Sequence, residues 1–393
     1  MHGGAGRREI PRQRGRALTT VRFHNRLADI DPAAWDSLRP DDNPFLRHAF
    51  LSGLEQHGCL VPGYGWTPHH LTIHDGDRLV AAAPCYLKRN SHGEFVFDHA
   101  WAEAYRRHGL NYYPKLLCAV PYSPVPGPRL LTGVTASAAL EAVALTALHD
   151  ESARLGLSSA HVNFIDPPPA AGADWLARFD WQFHWHNRGW HDFDEFLAAL
   201  NAKKRKNIRQ ERAGVRTAGV EIISVHGFEA DEAQLTAMHG FYRDTFAAKG
   251  NLPVLTPAFF RHLAEALPEQ LWIVLARRRG GYIAGALFLR SSTALYGRYW
   301  GSSDPLPGLH FELCYYQGIE YCLRHGLTRF EPGAQGEHKL ARGFLPVATH
   351  SLHYIKDPRF RAAVSHALSE EAQWLRGYRD ELLRHSPYRE APP

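Results

Sequence analysis

Residues 271–300 read LWIVLARRRGGYIAGALFLRSSTALYGRYW, and this stretch decides the fold class. Apolar and β-branched residues fill Leu271 to Arg277, Tyr282 to Leu289 and Ala294 to Trp300, each a run of strand length. Arg279-Gly280-Gly281 separates the first two runs with residues that suit a tight turn. An antiparallel three-stranded meander is therefore expected. Before it, Val220 to Val225 is β-like, Asp231 to Lys249 is an amphipathic helix stopping at Gly250, and Thr256-Pro257 opens a helix that stops near Pro268. After it come a helix from about Leu309 to His325 and strands around Thr328 to Glu331 and His350 to Ile355. From Pro358 onward a last helix sets Phe360, Val364, Leu368, Trp374 or Leu375, Tyr378 and Leu382 on one side.

The first half repeats this order. Val21 to His24 is β-like, Asp31-Pro32 opens a helix, and Asn43-Pro44 opens another over Phe45 to Gln56. Strands are expected at His69 to His74 and Leu79 to Leu87, joined by Asp75-Gly76-Asp77. An irregular stretch then runs from Asp98 to Arg129. A helical stripe follows over 136–155, then a strand at Ser159 to Ile165, a short helix around Trp175 and a strand at Trp181 to His186. The expectation is an α/β (α+β) chain with one unit used twice, each a mixed, largely antiparallel sheet flanked by helices. Its segments are a disordered basic tail at 1–18, a domain at 19–192, a basic connecting helix at 193–218, a domain at 219–357 and a C-terminal helix and tail at 358–393.

At 393 residues, 45% hydrophobic and 22% charged, the chain is long enough for two ordinary cores. The five cysteines stand singly, which points to reduced thiols rather than bridges or zinc. The 25 histidines are dispersed; His184 and His186 share a strand face, but no third ligand stands at a motif spacing, so no metal is expected. No phosphate loop, G-x-G-x-x-G or G-x-S-x-G is present, which removes the usual support for nucleotide-driven chemistry and for a serine hydrolase. No apolar run approaches the length of a membrane span, and the Gly- and Arg-rich N-terminus lacks the apolar block of a secretory signal. A cytoplasmic protein is expected, with peripheral contact at the inner face of the membrane left open.

Chemistry concentrates in three stretches: RYWGSS (298–303), HFELCYYQ (310–317) and GAQGEHKLARGF (333–344). On a regular helix His310, Cys314 and Gln317 share one face, with Glu312 and Tyr316 on the next. The glycines of the third stretch let its backbone approach a ligand closely, and between them stand Glu337, His338, Lys339 and Arg342. Acyl transfer to an amine needs a base for the ammonium proton and donors for the carbonyl oxygen. Glu337 and His338 are natural bases, while Lys339 and Arg342 suit a phosphate or carboxylate. Charged surface turns and solvated helix faces are the plain alternatives. In the first half, Trp101, Tyr105, Tyr112 and Tyr113 flank a segment with four prolines between 121 and 128. That segment either walls a long apolar channel or is a structural cross-connection.

Together "FDHAWAEAY", "YYPKL", "VPYSPVPGPRLL", "HFELCYYQGIEYC" and "GAQGEHKLARGFLP" resemble the bacterial FemAB-like family of N-acyltransferases, labelled by peptidoglycan biosynthesis or recognition. The resemblance runs from about residue 20 to 385 and implies tandem GNAT-like domains. It also implies an amide-forming acyltransferase, with acyl-CoA or acyl carrier protein as co-substrate rather than a bound cofactor. One departure matters: where GNAT enzymes carry the loop that holds the CoA pyrophosphate, this chain has "GSSDPLPGLHFEL" (301–313). A plain acetyltransferase is therefore not expected. A larger donor is, with an amine acceptor such as a long-chain lipid amine of the sphingoid type. The alternatives are aminoacyl transfer from tRNA to a peptidoglycan precursor, which is less favoured, and a binding module without catalysis.

The candidate catalytic residues are Glu337, His338, His310 and Glu312. Candidate substrate contacts are Trp300, Tyr316, Gln335, Lys339, Arg342, Asp98, Trp101 and Tyr113. The run AKKRKNIRQERAGVR (202–216) holds seven bases against Glu211 alone. Lys203, Lys204, Arg205 and Arg209 are candidates for contact with tRNA, an acidic carrier, CoA phosphates or an anionic membrane, unless the helix is simply a solvated connection.

Overall fold

Pro84 has no N–H to give a ladder, and it divides the strand expected from Leu79 to Leu87 into two. The computed structural model describes residues 8–9, 19–334 and 336–389. The tail expected at 1–18 lies almost wholly outside these, as does Gln335. In chain order the first elements are β1 (Arg8–Glu9), β2 (Thr19–His24), α1 (Pro32–Ser37), α2 (His48–Gln56), β3 (Trp66–Pro68), β4 (His70–Asp75), β5 (Arg78–Ala83) and β6 (Cys85–Lys88). Asp31 caps α1 by accepting from the Ala34 amide, and Asn43 does the same for Phe45, so both expected helix starts are used. The stretch expected to be irregular contains α3 (His99–Arg107) and β7 (Lys115–Cys118). Then come α4 (Ala138–Arg154), β8 (Ser159–Asn163) and β9 (Trp175–His186). β9 replaces the short helix expected around Trp175. Its first half is extended, and the Asp180 carbonyl accepts from the Thr349 hydroxyl.

The chain continues through α5 (Phe193–Ala199), α6 (Ala202–Thr217), β10 (Glu221–His226), α7 (Glu232–Ala248), α8 (Pro257–Ala266), β11 (Leu271–Arg278), β12 (Gly281–Arg290) and β13 (Ala294–Ser302). α7 opens on a complete capping box of Asp231 and Gln234. α9 (Leu309–Phe311) then passes through a π-helical turn, Glu312–Tyr316, into α10 (Gln317–His325). β14 (Arg329–Glu331), a 3-10 turn at Glu337–Arg342, β15 (Leu345–Ile355) and α11 (Pro358–Arg384) finish it. On α11, Val364, Leu368, Leu375 and Leu382 are buried while Trp374 stays 65% exposed, so the stripe takes Leu375. None of the described helices is long and apolar enough to cross a membrane.

Compactness groups these elements differently from the linear segments above. Unit 1 is Met1–Asp180 with Thr349–Leu375, and unit 2 is Trp181–Ala348 with Arg376–Pro393. The chain leaves unit 1 within β9 and returns within β15; α5 and α6, expected as a connection, belong to unit 2. In unit 1 the order β1-β2-β4-β5 forms one antiparallel sheet, and β3, β6, β7, β8 and the end of β15 form another. β7 and β8 are parallel, joined by α4. In unit 2, β10-β11-β12-β13-β14 and the end of β9 are neighbours in that order, with β13 and β14 parallel across α9 and α10. The meander β11–β12–β13 is antiparallel as expected. Each unit thus has a parallel pair made by a helical crossover within a mixed sheet. The α/β class, with a mixed, largely antiparallel sheet and flanking helices in each unit, is as the sequence predicts.

Each unit has its own core. In unit 1, Leu71, Ile73, Leu116, Cys118, Ala160 and Val162 pack with Leu145 and Leu148 of α4. In unit 2, Trp272, Phe288, Leu313, Ile319 and Phe330 are central. The proline-rich segment is part of unit 1's interior: Val120, Tyr122, Val125 and Arg129 are buried, and the Arg129 guanidinium donates to the carbonyls of Val125, Gly127 and Asn163. Its side chains are packed within the unit rather than set along an open channel.

Candidate functional site

In unit 2, β13 pairs with β14 only through Ala294, Leu295 and Tyr296. Beyond that the strands part, because Pro332 cannot continue the ladder and its Cα would stand 3.2 Å from a Cβ on Gly297. The parted ends carry Arg298 to Trp300 on one side and the glycine-rich turn on the other. Gly301 lets α7 lie directly against the end of β13, since a Cβ there would fall 2.0 Å from the Phe241 carbonyl oxygen.

His338 sits at the centre of this region. Its Nε2 is 2.7 Å from the Tyr315 hydroxyl. Gly336, with φ of 121°, leaves room for the ring, because a Cβ there would lie 2.4 Å from His338 Cε1. Although the residue reaches solvent, partial burial, then Lys339 and Arg342, hold the imidazole below its ordinary value, so it is neutral and able to accept a proton. His310 packs against Trp300 at 5.0 Å and Tyr315 at 5.4 Å, with His338 6.1 Å away. Burial, assisted by His338, Arg342, Lys249 and Lys339, pushes its value down to about 4. Lys339 is buried and donates to the Gly333 carbonyl at 2.6 Å. Burial brings its ammonium down to about 8, so it titrates close to neutrality. Cys314 lies in the same interior, and burial pushes its thiol up.

Other candidates are built into the scaffold. Arg342 donates to Glu211 at 2.7 Å, to the Tyr316 hydroxyl at 3.0 Å and to the His338 carbonyl at 3.0 Å, with its guanidinium 3.3 Å from the Phe311 ring centroid. Tyr316 also donates to Glu211. Arg342 therefore holds the 3-10 turn to α6 instead of standing open as an anion anchor. Glu312 accepts both branches of Arg212 at 3.0 Å and the Gln317 amide at 2.8 Å. The last contact joins residues five apart, which the π-helical turn brings together. That turn also removes the single face expected for His310, Cys314 and Gln317. Glu312 is thus committed to an ion pair. Glu337 is exposed and accepts from Tyr378 of α11. Gln335 lies outside the described residues.

α6 does more than present charge. Ile208 and Val215 are buried, Glu211 meets Arg342, and Arg212 also reaches Glu320 at 2.6 Å. Glu211 and Arg212 were not singled out, although the one acid in a run of seven bases was a usable signal. Lys203 and Arg209 are exposed, Lys204 and Arg205 half-buried; Arg205 bonds the Leu200 carbonyl and Arg209 pairs with Asp194 at 3.4 Å. His184 is buried on β9; burial, then Arg329, His186 and Lys339, hold it well below its ordinary value. Among the described residues no group of three or more His, Cys, Asp or Glu is placed to hold a metal ion.

Asp98, Trp101 and Tyr113 come together in unit 1. Asp98 accepts from Lys115 at 2.5 Å, Tyr112 at 2.6 Å and Ser91 at 2.5 Å, and Ser91 lies 2.7 Å from the Tyr113 hydroxyl. Trp101 stacks on His161, whose Nδ1 is 2.8 Å from His353 Nδ1. Burial opposes ionisation of Asp98, but Lys115, His161 and these hydrogen bonds outweigh it and hold the carboxyl below its usual range. Burial pushes His161 down to about 3, so the histidine pair is neutral.

The FemAB-like family, described as peptidoglycan biosynthesis/recognition, matches residues 26–390. No curated protein matches the chain. Among solved structures it is similar to FemX at 12% identity and a TM-score of 0.49, covering 86% of this chain and 98% of that one. It is similar to L-PGS from Bacillus licheniformis at 10% identity and a TM-score of 0.44, over 72% and 86% of the two chains. A tandem GNAT protein from the clavulanic acid biosynthesis pathway gives 12% identity and a TM-score of 0.38, over 86% and 99%.

Proposed function

Because the chain belongs to the FemAB-like family, we propose that it is an acyl or aminoacyl transferase that forms an amide on an amine acceptor, with its chemistry in unit 2. The observation that carries this reading is the neutral His338, bonded to Tyr315 through Nε2 and seated on Gly336 beside buried Lys339. The amine attacks the carbonyl of an activated thioester or ester. The new N–C bond forms as the C–S or C–O bond breaks, and the ammonium proton passes to His338 Nδ1 and then to the leaving group. Lys339 supplies positive charge close to the developing oxyanion and fixes the Gly333 backbone. His310, with its low proton affinity, shapes the aromatic wall with Trp300.

The donor is an acyl-CoA, an acyl carrier protein or an aminoacyl-tRNA. The loop at 301–308 is pinned, with Ser302 bonded to the Asp304 carbonyl and the Asp304 carboxylate paired with Arg278 of β11, and it lacks the glycine pattern of a pyrophosphate loop, which supports a donor other than acetyl-CoA. For the acceptor, the family's description supports an amine of a peptidoglycan precursor. A lipid amine loses the argument that the proline-rich segment offered, since that segment is buried. Recognition without transfer is a second reading, supported by the other half of the family's description.

Mass spectrometry of the purified chain with each donor and a set of cell-wall amines tests the proposal. Transfer that requires His338 is expected. Transfer from none of the donors, with a precursor still bound, would leave the recognition reading in its place.

A further inference from the structure

The sheet β3-β6-β7-β8-β15 of unit 1 has two unlike faces. Cross-strand register puts Cys85, Cys118 and Val162 toward α4 and the core, and puts Lys88, Lys115 and His161 on the opposite face. That second face is also buried, and what covers it supplies the acids. Glu94 and Asp98 stand on the segment between β6 and β7. Lys115 Nζ donates to Glu94 at 2.7 Å and to Asp98 at 2.5 Å, and Lys88 Nζ is 3.9 Å from Glu94 Oε1. Lys88 further donates to the carbonyls of Tyr64 and His92 and lies 4.1 Å over the Trp66 ring. Glu94 Oε1 is buried and makes no hydrogen bond. On the outer side of the same loop Phe95 and Phe97 are 38% and 54% exposed.

We infer that residues 90–97 form a gate over the basic face of unit 1's sheet, latched by Glu94 on Lys88 and Lys115, and that this gate opens most readily near neutral pH. Burying a charge costs free energy unless it is fully paired, and here the pairing is incomplete. Burial raises the Glu94 carboxyl to about 7 and lowers the Lys88 ammonium to about 7. When the loop lifts, both groups meet water and return to their ordinary values.

The closed state therefore loses the stability that Glu94 gives as pH rises from the ordinary carboxylate range through 7, and loses the stability that Lys88 gives as pH falls from the ordinary lysine range through 7. The two limbs meet at neutrality. His92, on the loop itself, is exposed and offers Lys88 its carbonyl while its ring packs on Tyr64; the buried groups facing the latch add no limb there. Burial opposes the charge on Lys115, but Glu94 and Asp98 together outweigh it and keep the ammonium protonated; Asp98 is held ionised, burial holds His161 and His353 neutral, and burial holds the Tyr112 and Tyr113 phenols protonated.

Hydrogen exchange of the full chain, followed by mass spectrometry on peptides spanning 90–97 between pH 5 and 9 and corrected for the intrinsic exchange rate, tests the gate. Protection is expected to pass through a minimum near pH 7 and to rise about tenfold or more on either side. In Glu94→Gln the acid limb flattens and the alkaline limb remains; in Lys88→Met the reverse holds. Peptides from α4 should show no such minimum. Protection independent of pH in the natural chain, or an unchanged minimum in Glu94→Gln, overturns the gate. The natural chain's profile decides the matter if either variant fails to fold.

Discussion

In unit 2, Arg212 holds Glu312 and Glu320 while Arg342 holds Glu211; in unit 1, Lys88 and Lys115 face Glu94 and Asp98. A guanidinium stays charged at every pH a protein meets and grips a carboxylate through two branches, whereas a buried ammonium can lose its proton. The unit 2 pairs therefore hold their geometry across pH and leave titration to His338 and Lys339 at the parted strands. Unit 1 places its titrating groups inside the ion cluster itself. Two units with one element order have thus put proton exchange in different places, one at a candidate reaction site and one at a cover.

Lys115→Met should break the contrast most severely. It leaves Asp98 and Glu94 buried without their shared cation, a loss of about 3–5 kcal/mol that chemical denaturation would show. His338→Ala should lower turnover by about 10² to 10⁴ while leaving the melting temperature nearly unchanged. Equal activity in the variant would remove the base from the mechanism. Lys339→Arg sharpens the role of titration in unit 2. The natural chain should lose activity as pH rises through about 8, because the lysine gives up its charge; the arginine variant, although slower, should lose that alkaline limb. Glu337→Ala should change activity by no more than about twofold, since the carboxylate is exposed and bonded to Tyr378. A large loss would return the base role to Glu337.

The meander at 271–300 was readable because three apolar runs and a Gly-Gly turn all agree on the same answer. Pro84 shows where reading along the chain falls short: one apolar run became two strands in different sheets. β9 was misread near Trp175 because strand pairing, not local preference, keeps those residues extended. The π-helical turn could not be foreseen from HFELCYYQ, since it accompanies contacts from Arg212 to Glu312, a hundred residues apart. At the candidate site, Glu337 to Arg342 were legible as a dense cluster, but which of them stay available was not. Burial and partners committed Arg342 and Glu312 to ion pairs and left His338 beside Tyr315. Asp98 and Tyr113 were legible in the first half, while Lys115, which bonds Asp98, falls in a stretch that reads as irregular, and Lys88, which faces Glu94, lies just past the end of an expected strand, so neither lysine stands out without the covering loop.

The chain's path through β9 and β15 bears on how the protein is made. Unit 1 needs residues 349–375, so on a ribosome it stays incomplete while all of 181–348 is synthesised, roughly 8–34 s at ordinary elongation rates. During that interval β8 has β7 on one side but lacks β15 on the other, an open edge able to pair with other chains. Slowing synthesis within residues 200–348 should therefore raise aggregation more than slowing it before residue 150, when β8 has not yet been made.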